Sequence, residues 1–564
     1  MVPAKRGTPP SIQGSARHAG TAARTAGLVV ILVVSLHATP RPLTVADLAV
    51  CGGVFSITAF LWLVCSGYFG YGSAGRRDWV ALIPFLLALV LREALTRHSV
   101  QELEIQFAHG PVGRHSLVYP LLQMFFVPLV RDPHGFTMHM NGILGAAACL
   151  GMYLFVRQRT GSRRAGCLSA LFLALHPVVA RFAPTDGPYS LMLATWFAGL
   201  ALLSAPEVGA RSLLGGAALL GIAATTRIEG VLLLAASWFL LDTRELVMAT
   251  RRHRLAATLG YLVIYLLCAL QMRILLPRYL PDDMSPGAWW LLLPPRLTSW
   301  FDDAVWISAY NSVVFALLVW LGVAAGCRTP ARLGLRAYVA MIVVLAPVAG
   351  SWSAPFVHHR MIPTYAVQAL LAGLGAYNLA GWIPAARRRP WLALLPGTLA
   401  ATYIVTSRAA ELTKPYMFTA EYELVRSHLA PGGTPRTDCV LMTFNSHVAG
   451  DVDLHDFAQV VPGVQTLDCQ RVDCVARLSS GGCIYYVRSA ACYLDARGGP
   501  AACIGAGVSE NGAGRDCLNP ACASFERAVE LHPIEIQTID IRNAFNTDWR
   551  YPAQVGLFAV RAPP

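Results

Sequence analysis

Glu102 and Glu104 stand two residues apart in a polar stretch, Arg97–Leu122, that separates apolar runs long enough to span a bilayer. His109, Arg114 and His115 follow within the same stretch. A carboxylate placed there can take the proton from an attacking hydroxyl, a general-base contribution worth roughly 10²–10⁴-fold. In extended backbone, residues two apart face the same way, whereas on a helix they diverge; only an extended loop lets both carboxylates share one substrate or metal. The expected division is one base and one supporting residue. The competing reading is ordinary solvated loop charge, against which stands the cost of placing ionisable groups at a membrane edge.

The elements that must position this stretch are membrane helices. The chain has 564 residues, 55% hydrophobic and 14% charged, against about 25% charged in a typical soluble domain, and its mean hydropathy is +0.49. Apolar runs fall at about 27–39, 45–68, 79–95, 139–156, 165–181, 188–204, 212–226, 229–242, 255–276, 305–326, 336–350, 362–384 and 391–409. Each is near or somewhat short of the ~20 residues a spanning helix needs, which predicts about thirteen spans. The formal charge of +13 sits mainly in short Lys and Arg clusters between the runs, a sign of membrane topology rather than of a nucleic-acid partner. Residues 1–25 read as a disordered basic arm, and Gly27–Ala38 reads as a short first helix, since no clear cleavage site follows it.

With the N-terminus in the cytoplasm, Arg76-Arg77, Arg157/Arg159/Arg163/Arg164, Arg244/Arg251/Arg252/Arg254, Arg328/Arg332/Arg336 and Arg387-Arg388-Arg389 all fall inside, as the positive-inside rule requires. Every polar segment that could carry chemistry then lies outside: the loop 96–138, the turn Arg181–Gly187, the tip Arg227–Glu229, the loops Pro277–Asp303 and Ser351–Arg360, and the tail from 410 onward. Cysteine usage changes at that tail. Six cysteines are scattered over the membrane portion, while Cys439, Cys469, Cys474, Cys483, Cys492, Cys503, Cys517 and Cys522 crowd into the tail. An even, dense set in an oxidising compartment reads as a disulfide framework; zinc is the alternative, disfavoured because the spacing at Cys469/Cys474 and Cys517/Cys522 is looser than Cys-x2-Cys. Helices are expected at Glu421–Leu429 and Glu526–Leu531, and strands at Val440–Phe444, Ile484–Val487, Ile534–Ile541 and Val555–Arg561. The Gly- and Ala-rich stretch Gly498–Arg515 reads as a loop pinned by Cys503 and Cys517.

The acidic pair followed by His-Ser-Leu-Val-Tyr-Pro at 115–120 resembles the first external loop of the GT-C superfamily, membrane glycosyltransferases that use polyprenyl-phosphate sugars, of the protein mannosyltransferase and aminoarabinose transferase type. Ala174–Leu193, ALHPVVARFAPTDGPYSLML, resembles its second conserved turn. GIAATTRIEG at 221–230 is similar to its Gly-x-Ala-x-x-Thr-Arg-x-Glu-Gly hairpin, and His359-Arg360-Met361 before Pro363 to the motif that opens a late helix. The chain departs where adjacent Asp-Glu becomes Glu102 and Glu104, where the first Pro of His-Pro-Pro is Ser116, and where Met361 replaces Tyr.

The resemblance implies an α-helical polytopic membrane protein in three parts: the arm 1–25, a GT-C-like membrane domain 26–409 with its catalytic loop at 96–138, and a small extracytoplasmic Cys-rich α/β domain 410–564. It implies a hexosyl- or pentosyltransferase of the inner (plasma) membrane. Its partners would be a polyprenyl-phosphate sugar donor, an extracytoplasmic glycan, lipid or protein acceptor, and membrane lipids. Glu102 or Glu104 would be the base. Arginine suits the donor phosphate, because its planar fork binds oxyanions bidentately and stays charged; the candidates are Arg227 and Arg360, then His359, His358, His115 and Arg114. Tyr119, Asp186 and Tyr189 are the substrate-binding candidates. Arg227 with Glu229 as an internal ion pair, and Arg360 snorkelling to headgroups, are the structural alternatives. Trp289, Trp290 and Trp300 read as an interfacial belt more readily than as a sugar platform. No metal site is expected, and a divalent cation (Mg or Mn) is the one cofactor left open. A multi-pass transporter and a catalytically inactive GT-C-like protein are the alternative functions; clean spans and the lack of an obvious repeat speak against the transporter.

Overall fold

The structure is a computed structural model, and it describes residues 81–95, 119, 133–183, 187–205, 208–227, 230–279, 312–326, 332–345, 362–382, 394–407, 412, 417–431, 434–444, 457, 461, 463–470, 472–478, 482–493, 517–542 and 550–561. The runs at 27–39 and 45–68 lie outside these residues, and within the runs from 79–95 onward the described residues are mainly helical. They are α1 (Leu82–Leu95), α2 (Pro133–Thr160), α3 (Arg163–Leu175), α4 (Pro177–Phe182), α5 (Tyr189–Leu203), α6 (Ala210–Thr226), α7 (Val231–Leu240), α8 (Thr243–Arg252), α9 (Arg254–Tyr279), α10 (Val313–Gly326), α11 (Leu333–Val339), α12 (Ile362–Gly381) and α13 (Leu395–Thr406). Among the described residues, Thr137–Thr160 and Arg254–Gln271 are long and apolar enough to cross a bilayer singly.

Three details differ from the run pattern. The run 165–181 is broken at His176, whose backbone is extended (φ −63°, ψ 121°) before Pro177 opens α4; proline disfavours helix at the preceding residue and has no N–H to continue the ladder. The run 336–350 tightens poorly after α11 and continues as a π-helical turn, Ala340–Leu345. The basic cluster between the runs 229–242 and 255–276 forms a short amphipathic helix, α8, whose first turn is capped by Asp242 accepting the N–H groups of Arg244 and Glu245. A further correction concerns the clean spans: Arg92 lies fully buried within α1, with Nη1 donating to Ala88 O (3.2 Å) and Nη2 to Cys149 Sγ (4.0 Å).

The bundle is apolar outside as well as inside. Along α9, Leu255, Leu259, Tyr261, Leu262, Tyr265, Leu266 and Leu270 are exposed, a contiguous apolar surface that needs lipid rather than water against it. Lipid tails give helices no hydrophobic reason to associate, so the packing relies on small residues and close backbones. A Cβ on Gly322 would strike Leu371 O, and one on Gly375 would strike Leu318 O, which shows how closely α10 and α12 approach. Gly373 likewise lies on the backbone of Ser169, whose hydroxyl donates to Leu370 O (3.1 Å) and ties α3 to α12. The polar contacts form two separate sets. Arg159 meets Asp242 (3.7 Å) and Arg336 donates to Leu241 O (3.1 Å) at one end. Asn141, Gly187, Tyr189, Arg227 and Gln271 meet one another at the other. Each contact joins segments that the arginine count assigns to the same side.

The tail is a five-stranded sheet in the order β2-β1-β3-β5-β4, with β1 (Cys439–Thr443), β2 (Gln465–Asp468), β3 (Cys483–Arg488), β4 (Glu530–Arg542) and β5 (Arg550–Arg561). β1 runs parallel to β2 and β3, while β5 is antiparallel to β3 and β4. Side chains alternate across the sheet. Leu441, Val487 and Leu557 pack under α14 (Met417–Leu429), and Met442, Tyr486 and Phe558 pack under α15 (Pro520–Ala528). The helix expected at Glu526–Leu531 is thus corrected: Val529 is already extended (φ −129°, ψ 158°), and β4 begins at Glu530. The disulfide reading holds, with bridges Cys439–Cys483, Cys469–Cys474 and Cys492–Cys522, and Cys517 is disulfide-bonded as well. Arg488 closes on Glu526 with two 2.6 Å bonds. Nearby, burial pushes the Tyr493 hydroxyl up to about 12, and its O–H donates to Gln554 O (2.7 Å). The tail docks on the bundle through Met138 of α2, which joins the apolar cluster under α14.

The glycine contacts make a testable distinction. Gly375→Ala should cost about 1–3 kcal/mol through overpacking, seen as a lower thermal-unfolding midpoint in detergent. Gly381→Ala, where a new methyl meets nothing within 4 Å, should leave the midpoint unchanged or raise it.

Candidate active site

The hairpin between α6 and α7 shows what its sequence is for. Thr225 and Thr226 return their hydroxyls to Gly221 O (2.8 Å) and Ile222 O (2.7 Å), which occupies acceptors of the last helical turn. Arg227 then turns extended (φ −144°, ψ 161°). Its carbonyl accepts the N–H of Gly230 (3.0 Å). The chain reverses so tightly that a Cβ on Gly230 would lie 2.7 Å from both Ala223 O and Ala224 O, so only glycine fits. Gly221 lets α9 come close, its notional Cβ 3.1 Å from Leu267 Cδ1. One turn further along the same face of α9 is Gln271, whose Nε2 donates to Arg227 O (2.8 Å).

The Arg227 side chain is 2% exposed. Its Nη1 donates to the hydroxyl of Tyr189 (2.6 Å), and the guanidinium carbon lies 4.8 Å from the centre of the Tyr189 ring. Tyr189 opens α5, after Pro188 in the N-cap position. The adjoining turn is held by Asn141 of α2, fully buried, whose Nδ2 donates to Gly187 O (2.9 Å) and to the Tyr119 hydroxyl (2.6 Å). Ser190 adds a bond to Ala183 O (2.6 Å). Four distant stretches are thus brought together, through Tyr119, through Asn141 of α2, through Gly187 and Tyr189, and through Arg227 at the end of α6.

Of the sequence-predicted site residues, Tyr119, Tyr189 and Arg227 are brought together. Glu102, Glu104, Arg114, His115, Asp186, His359 and Arg360 lie outside the described residues, as do His358, Trp289, Trp290 and Trp300. Arg181, at the end of α4, donates to Leu412 O (3.1 Å) and so fastens the start of the tail to the bundle. His176, in the break between α3 and α4, stacks on Tyr365 (4.8 Å between centroids) and meets Phe315 edge-on (5.3 Å). Sequence reasoning missed Asn141, Gln271 and Arg92; the signal available was a polar residue near the end of an apolar run, where burial makes it costly unless it is used. Among the described residues, the His, Cys, Asp or Glu side chains that converge as a metal set would are Asp438, Cys439 and Cys483. Those two cysteines are joined to each other and do not suit a cation.

No protein-family model matches the sequence, and no curated protein is a significant match to it. Among solved structures, the chain is similar to ArnT from Cupriavidus metallidurans bound to undecaprenyl phosphate, with a TM-score of 0.48 at 14% identity over 85% of this chain and 98% of that one. It is also similar to the archaeal oligosaccharyltransferase AglB from Archaeoglobus fulgidus, in complex with an inhibitory peptide and a dolichol-phosphate. There the TM-score is 0.36 at 10% identity, over 68% of this chain and 60% of that one.

The Asn141 junction is open to a direct test. Asn141→Leu leaves the Gly187 carbonyl and the Tyr119 hydroxyl without their buried donor, at a cost of about 1–3 kcal/mol. A thermal-unfolding midpoint equal to the parent's would show that Asn141 does not hold the two motifs together.

Proposed function

We propose that this chain is an integral membrane glycosyltransferase that moves a sugar from a polyprenyl-phosphate donor to an extracytoplasmic acceptor. The observation that carries the reading is the buried Arg227, held against Tyr189 beside the junction where Asn141 joins Gly187 to Tyr119, with Tyr119, Gly187, Tyr189 and Arg227 being residues of the motifs that resemble the GT-C superfamily. A sugar joined to a polyprenyl phosphate already has a good leaving group. The acceptor oxygen forms a bond to the anomeric carbon as the bond from that carbon to the phosphate oxygen breaks, with its electron pair going to the phosphate. The acceptor proton passes to Glu102 or Glu104. Arg227 and Arg360, with His359, His115 and Arg114, meet the phosphate charge, while Tyr119, Tyr189 and Asp186 shape the sugar site.

In this reading the N-terminus is cytoplasmic and the tail is extracytoplasmic. Thiol labelling on intact cells should find the cysteines between 439 and 522 oxidised and outside; a cytoplasmic, reduced tail would reverse the topology and remove the catalytic loop.

The general base has its own test. Glu102→Gln and Glu104→Gln are near-isosteric and should change stability by no more than about 0.5 kcal/mol. One of them should lower turnover by roughly 10²–10⁴-fold while the protein remains folded and still binds donor lipid. Transfer at the parent rate by both would reduce the loop to solvated charge.

A further inference from the structure

Gln271 is 2% exposed and lies on the face of α9 that packs against the α6–α7 hairpin. Its amide orientation follows from its neighbour: the Arg227 carbonyl can only accept, so Nε2 faces it (2.8 Å) and Oε1 points the other way. That oxygen is buried and has no hydrogen-bond partner in the protein. A buried acceptor left unmet costs about 1–3 kcal/mol, and native structures rarely keep one without a use. Its position is built in, because Gly221 brings α9 close and the Arg227 carbonyl fixes the amide.

We propose that Gln271 Oε1 accepts a hydrogen bond from a hydroxyl of the transferred sugar. This rests on the glycosyltransferase reading and extends it to the sugar side of the donor. An amide oxygen has no proton to offer, so its partner must bring an O–H or N–H. A phosphate diester brings neither, nor does a prenyl chain. A sugar does, and in the donor it is joined directly to the phosphate. A cation for the phosphate on Arg227, with an unmet acceptor held against the backbone of the same residue, therefore has the polarity of a sugar phosphate read from its anion outward. Gln271 is on this account a specificity-determining residue that selects lipids carrying a hydroxylated group over the bare carrier.

The experiment uses the purified full-length chain in detergent and measures Kd without any acceptor present. The probes are undecaprenyl phosphate and its glucosyl, mannosyl and arabinosyl derivatives, then monodeoxy forms of the tightest binder. The parent should prefer one sugar-bearing lipid to undecaprenyl phosphate by about tenfold, the equivalent of about 1.4 kcal/mol. Gln271→Leu and the less disruptive Gln271→Met should lose that preference and bind undecaprenyl phosphate like the parent. One monodeoxy probe should lose the same factor on the parent and nothing further on the variants. A variant that keeps the preference, or that weakens bare and sugar-bearing lipids alike, overturns the role of Gln271 and leaves the enzyme reading intact. A parent insensitive to every deoxy position also overturns it, even where neither variant folds. A parent that binds none of the lipids overturns the glycosyltransferase reading itself.

Discussion

A guanidinium kept inside an apolar helix bundle is the constraint on which the arrangement of this protein turns. Water cannot solvate Arg227, so the protein must hold it, and Tyr189 does so with both its ring and its hydroxyl. That single requirement brings the start of α5 to the end of α6. The same residue's carbonyl, met by Gly230 and Gln271, sets the reversal into α7 and the distance to α9. Asn141 then binds the turn before Tyr189 to the Tyr119 motif. Loops are mobile by default, and these polar contacts tie loop positions to helices whose close packing leaves little room to shift.

The tail treats a buried arginine differently. Arg488 closes on Glu526 with two short bonds and lies over Phe558. A pair of that kind costs several kcal/mol to take out of water and is used up by its own partner. Arg227 instead meets the ring and hydroxyl of Tyr189, a neutral side chain.

Much of this was visible in the sequence, for identifiable reasons. Apolar runs declare helices because bilayer thickness dictates their length. The strands at Cys439–Thr443 and Cys483–Arg488 are alternating or continuous apolar segments, and the Thr-Arg-x-Glu-Gly hairpin carries its glycine where only glycine fits. Asn141 and Gln271 were hidden because one amide barely alters the composition of a long run. The break at His176 was outvoted by the run around it, although Pro177 was in view. β2, with the sequence Gln-Thr-Leu-Asp, carries no strand pattern and exists only through its pairing with β1. Disulfide partners could not be read at all: Cys439 meets Cys483 across 44 residues because β1 and β3 lie side by side with those two positions in register.

The bond from Arg181 to Leu412 O spans 231 residues of sequence. A ribosome makes the chain from its N-terminus, at about 5–20 residues per second, so Arg181 is inserted well before the carbonyl that receives it has been synthesised. The bundle therefore passes through an interval in which α4 is in place and its clasp is still missing. The last apolar helix must be laid down before residue 412 arrives, and only afterwards can the bridges of the tail be oxidised. The clasp at Arg181 thus joins the middle of the bundle to the segment that leads into the tail, and it can close only once residue 412 has been made.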